Sequence, residues 1–181
     1  MLMIVAMRRR SAGFSMIEVL VSLLITVVGV LGMVALQSKA IPYTQDSVQR
    51  NTAMMLVDDL VEILRASTTC TGTNDCMKAP GTTFQAAAAN CIPTPAVATQ
   101  QIGCWANRAK ASLPGADDLA VNLFYICRSV LSGDVKTNAC GTDVIADTEV
   151  EIQVAWKVKN PSDCLDGGAN GTCTYKLRTR L

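Results

Sequence analysis

At 181 residues the chain has the length of one ordinary domain, and with no histidine, 4% aromatic and 17% charged residues it leaves no room for histidine-based acid-base, triad or metal chemistry. No catalytic residue, metal site or cofactor is therefore expected. Half the residues are apolar, and mean hydropathy is +0.29 because one apolar segment is concentrated before Gln37; the net charge of +1 owes its sign to Arg8, Arg9 and Arg10 just ahead of that segment. The remainder is slightly acidic and gives no overall electrostatic case for nucleic acid.

From Phe14 to Leu36 one ionisable side chain, Glu18, interrupts an apolar run. As a helix the run covers about 35 Å, enough to cross a hydrocarbon core of about 30 Å. The preceding arginines fix its orientation, with 1–13 in the cytoplasm and everything after Leu36 translocated. A cleaved secretory signal has a shorter apolar stretch and a small-x-small exit, and neither is present. A plain anchor has no reason to carry an acid five residues into its apolar run, where a carboxylate costs about 2.5 to 3.5 kcal/mol on insertion scales. Glu18 therefore calls for a cationic partner.

The run Arg8-Arg9-Arg10-Ser11-Ala12-Gly13-Phe14-Ser15-Met16-Ile17-Glu18-Val19-Leu20 resembles the class III signal of type IV prepilins. There a basic leader ends in glycine, an aromatic residue follows, and a glutamate takes the fifth mature position. The resemblance implies that a prepilin peptidase cuts between Gly13 and Phe14, that the new Phe14 amine is methylated, and that Glu18 acts in assembly by meeting the terminal amine of a neighbouring subunit. Gly29, Val30, Leu31, Gly32, Leu36 and Gln37 are further similar to the helix of PilV-type minor pilins. The opening Ile17-Glu18-Val19-Leu20-Val21 is shared with I-type pseudopilins of type II secretion.

After Pro42 the residues Ala53, Val57, Leu60, Val61 and Leu64 form one helical stripe, with Asp58, Asp59, Glu62 and Arg65 on other faces. One long helix from Phe14 to about Ala66 is expected, with Gly29, Gly32 and Pro42 as places to bend or, for the glycines, to pack closely. From Ser67 to Pro114 the composition predicts loops, with a short helix around 84–90. Alternation predicts strands over Leu119–Cys127, Glu149–Lys159 and Cys173–Leu181, forming an antiparallel meander on the amphipathic half of the helix. The fold class expected is α+β and type IV pilin-like: one long amino-terminal helix on a small antiparallel sheet, stapled by disulfides. Its parts are a leader over 1–13, a transmembrane and assembly half-helix over 14–36, an amphipathic half-helix over 37–66 and a periplasmic head over 67–181.

Eight cysteines, all beyond the apolar run, point to disulfides in an oxidising compartment. Eight allow 105 pairings; a nearest-neighbour scheme joins Cys70 with Cys76, Cys91 with Cys104, Cys127 with Cys140 and Cys164 with Cys173. The last also looks like the carboxy-terminal disulfide loop of pilins. Lys157, Lys159, Lys176, Arg178 and Arg180 could form a basic ribbon for DNA phosphates, but without aromatic stacking groups a solvated sheet face is favoured.

These features together lead to a non-enzymatic minor pilin, held in the inner membrane and then in the pilus at the cell surface, within a tip or priming complex. Its implied partners are the prepilin peptidase, other minor pilins and the major pilin. The alternatives are a type II secretion pseudopilin and a membrane-anchored binding protein for DNA or surfaces.

Overall fold

The computed structural model describes residues 13–72, 75–128, 149–165 and 168–181. Two compact units divide the chain, Met1–Ile41 and Pro42–Leu181. Helix α1, Met16–Ala66, has residues in both and runs through Gly29, Gly32 and Pro42.

In the first unit the side chains from Phe14 to Leu36 are exposed, and this part of α1 is long and apolar enough to cross a membrane. Its hydroxyls bond within the helix. Ser22 Oγ donates to Val19 O at 2.9 Å, and Thr26 Oγ1 to Leu23 O at 2.8 Å and to Ser22 O at 3.0 Å. Such internal satisfaction is what a nonpolar surrounding demands of a polar group.

In the second unit α1 buries Ala53, Leu56, Val57, Leu60, Val61 and Leu64, one stripe at helical spacing. The stripe packs in a core with a three-stranded antiparallel sheet of order β1-β2-β3, where β1 is Tyr125–Arg128, β2 Val150–Lys157 and β3 Thr172–Thr179. Ile126 pairs with Ile152, Ile152 with Leu177, and Val154 with Tyr175. Alternation puts these side chains on one face of the sheet. β2, the central strand, is buried on both faces from Val150 to Trp156. Its second face holds a polar set, in which the Tyr125 hydroxyl donates to Glu151 at 2.7 Å and Arg178 stands 3.5 Å from Glu151. Burial and the Glu151 carboxylate push the Tyr125 phenol well above its ordinary range.

Between α1 and the sheet lie α2 (Thr68–Gly72), α3 (Ala98–Ser112) and α4 (Ala116–Leu123). Two of these depart from the sequence expectation. The predicted strand Leu119–Cys127 is instead α4 followed by the four residues of β1. Ala116 and Ala120 are buried one turn apart, Asp117 and Asp118 occupy the first turn where the helix dipole favours acids, and Gly115 supplies the left-handed residue before it, φ 63°. The alternation of Leu119, Val121 and Leu123 was a by-product of composition. In turn, α3 falls where loops were expected, and it buries Ile102, Trp105, Ala106 and Ala109. The Trp105 indole donates to Leu56 O on α1 at 2.7 Å.

The short helix expected over 84–90 is absent: those residues are in neither helix nor strand. Phe84 meets Trp105 and Phe124, with ring centroids 5.8 and 6.4 Å away. The segment presses on α3 at Gly103, where an added Cβ would lie 2.6 Å from Ala87 N and 2.7 Å from Gln85 O. Tertiary packing has overridden the helix propensity of the alanines there.

Disulfides join Cys70 to Cys76, Cys91 to Cys104 and Cys164 to Cys173, with Cα separations of 5.1, 5.8 and 5.5 Å. Cys127 is disulfide-bonded as well. Cys140, its expected partner, lies outside the described residues.

Candidate processing and assembly site

Gly13, Phe14 and Ser15 precede the first turn of α1, and the carbonyl of Ser15 opens that turn by accepting from the backbone N–H of Glu18 at 3.0 Å and of Val19 at 3.3 Å. The Gly13–Phe14 peptide thus lies outside the helical hydrogen-bond ladder. Phe14 is 83% exposed, and no atom lies within 4 Å of an added Cβ at Gly13. An exposed, non-helical peptide is the form a peptidase can thread through its site without first melting a helix.

Glu18 stands in the first turn of α1, exposed, four residues from Phe14. The partial positive charge at the helix amino terminus favours a carboxylate there. Ser22 and Thr26 satisfy themselves within the helix, whereas Glu18 has no side-chain hydrogen bond or ion pair among the described residues. Glu18 is the one ionisable side chain between Met16 and Leu36. The arrangement places an exposed, non-helical Gly13–Phe14 peptide one turn from a carboxylate on an apolar helix.

Of the five basic residues considered for a ribbon, two are held by acids. Lys157 Nζ bonds Asp118 at 2.5 Å, and Arg178 bonds Glu149 at 2.9 Å while reaching Glu151. The Lys157 hydrogen bond and charge hold the Asp118 carboxyl below its ordinary value. Lys176, Arg180 and Lys159 remain exposed, too few to form a continuous phosphate track.

Among the described residues, three of the buried polar groups that had no role in the sequence reading hold elements together. Lys78, 5% exposed, donates from Nζ to Ala120 O, Val121 O and Phe124 O at 2.9, 2.7 and 2.5 Å, capping the carboxyl end of α4. Burial lowers its pKa to about 8. Arg128, 4% exposed, donates to Cys70 O at 2.9 Å. Asp46, 1% exposed, accepts from the Trp156 indole. Only Asp46 left a signal in the sequence: it stands seven residues before Ala53, on the apolar stripe, where an acid needs a partner.

Residues 8–34 match the family described as the prokaryotic N-terminal methylation motif. No curated protein and no solved structure matches the chain. The motif marks the chain as type IV pilin- or pseudopilin-like, a class of structural proteins, and with the apolar helix it indicates membrane anchoring before incorporation into a filament. It further implies processing by a prepilin peptidase and assembly with other pilins.

Proposed function

We propose that the chain is a minor pilin of the PilV type, a structural subunit that helps prime type IV pilus assembly at or near the tip. The observation that carries this reading is the methylation motif over residues 8–34, with Gly13, Phe14 and Glu18 at their fixed spacing on an apolar helix. Cleavage after Gly13 on the cytoplasmic face frees the Phe14 amine, which is then methylated. That cation lies at the membrane surface, one helical turn from its own Glu18. In assembly Glu18 takes the terminal amine of a neighbouring subunit, which offsets the cost of a carboxylate in the membrane and sets the axial register. The head, held by disulfides in the periplasm and later at the cell surface, presents contact surfaces to other minor pilins and to the major pilin. It needs no catalytic group.

The Ile17-Glu18-Val19-Leu20-Val21 opening favours a second reading, a type II secretion pseudopilin. Affinity capture of the full chain from detergent-solubilised membranes separates the two. Recovery with pilus tip subunits supports the first, and recovery with secretion-channel components in their place supports the second. In either system a Glu18→Ala chain is inserted and cleaved but fails to enter the filament.

A further inference from the structure

Asp46 joins three elements of the second unit. Its Oδ1 accepts the Trp156 indole N–H of β2 at 3.0 Å, and its Oδ2 accepts the backbone N–H of Leu165 at 3.0 Å. Arg50, one turn on, stands 3.7 Å from Oδ2 with its guanidinium 5.5 Å from the centre of the Trp156 ring. Leu165 follows Cys164, whose disulfide partner Cys173 is directly opposite Trp156 in the β2–β3 register. The links close a circuit: Asp46 to Trp156, across the strand pair to Cys173, through the disulfide to Cys164, and from Leu165 back to Asp46. The backbone packs tightly on the sulfur, since a Cβ at Gly168 would fall 2.5 Å from Cys164 Sγ.

We propose that this circuit is a redox-dependent latch, in which Asp46 is a positioning residue that binds α1 to the carboxy-terminal loop only while the Cys164–Cys173 bond is formed. The disulfide is what holds the Leu165 N–H in front of Oδ2. Once the bond opens, that donor is free to leave, and a buried carboxylate loses one of its hydrogen bonds, which is costly in the interior. The coupling is reciprocal by thermodynamic necessity: if the disulfide stabilises the Asp46 contact, the Asp46 contact stabilises the disulfide to the same extent. Opening the latch takes a dithiol reductant, which gives two electrons and two protons to the sulfur–sulfur bond, yielding two thiols and the reductant's own disulfide. Closing it returns the electrons and protons to a disulfide oxidant. The latch rests on the geometry of the head, and only its bearing on assembly rests on the filament-subunit reading.

The test uses the full chain in detergent, equilibrated across ratios of reduced to oxidised dithiothreitol, with each cysteine pair read by alkylation and mass spectrometry. In Asp46→Ala the equilibrium constant for reducing Cys164–Cys173 is expected to rise about tenfold, equivalent to about 30 mV. Cys70–Cys76 and Cys91–Cys104 should keep their wild-type values. Asp46→Asn, which keeps the volume and one acceptor, should shift the same pair in the same direction by less, and it decides the matter if the alanine variant does not fold. An unchanged constant for Cys164–Cys173 overturns the latch, as does an equal shift in all three pairs, which is general loosening. Neither result bears on whether the protein enters a pilus.

Discussion

Lys78 makes the stability of the head depend on alkaline pH in a direction opposite to that of most proteins. Its ammonium is almost fully buried and its pKa is lowered by desolvation from 10.5 to about 8, while an unfolded chain leaves it near 10.5. Below pH 8 both states hold the proton, and the cost of the buried charge is fully present. Between about 8 and 10.5 the unfolded chain binds the extra proton, so stability rises with pH. At 1.36 kcal/mol for each pH unit the whole gap amounts to about 3 kcal/mol, most of it gained by pH 10. Tyr125 opposes this at the upper end: its phenol is raised in the folded head, so the unfolded chain loses that proton first and stability falls as pH climbs beyond 10. Denaturant unfolding of the full chain in detergent, followed by tryptophan fluorescence from pH 7.5 to 10 at constant ionic strength, should give a rising curve for wild type. Lys78→Met should give a flat one over pH 8 to 10, whatever its absolute stability. Parallel curves for the two proteins, or a wild-type curve that falls relative to the variant, would mean that the carbonyls of Ala120, Val121 and Phe124 offset or outweigh desolvation, and would refute the reasoning.

Gly103→Ala adds a methyl against the backbone of Ala87 and Gln85; the clash should cost about 1 to 3 kcal/mol, more than the helix propensity it gains, as measured by the same unfolding assay. Leu60→Ala empties a fully buried position on α1 and should cost about 2 to 5 kcal/mol by that measure. Glu18→Ala should leave membrane insertion and leader cleavage intact, by fractionation and mass, while the amount recovered in sheared filaments drops at least tenfold.

The long helix was legible because its signals are local and redundant: an apolar run from Phe14 to Leu36 with one acid in it, and a stripe from Ala53 to Leu64 that repeats at 3.6 residues. The β2 strand was legible for a similar reason, since five apolar residues alternate from Val150 to Val158. The helices α3 and α4 were not. α3 buries two alanines and a glycine beside Ile102 and Trp105, so its stripe carries little hydrophobic contrast. In α4 the residues Leu119, Val121 and Leu123 satisfy a period of two as well as they fit one short helix, and the deciding features, Asp117 and Asp118 in the first turn and Gly115 before it, lie between the predicted loops and the predicted strand, in no predicted element. At the amino terminus, the methylation motif over residues 8–34 was legible because it is a spacing pattern along one stretch of chain. The Asp46, Lys78 and Arg128 contacts span long stretches of sequence, and no local pattern encodes which carbonyl or indole such a residue will meet.

The most direct test is the intact mass and amino-terminal sequence of the protein extracted from membranes of cells that have a prepilin peptidase, beside the same cells lacking it. The expected product begins at Phe14, carries a single methyl on its amine, and appears only when the peptidase is present. A chain that keeps residues 1–13 in both strains, or is cut after Leu36, would contradict an assembly subunit and leave an ordinary anchor or a secretory signal.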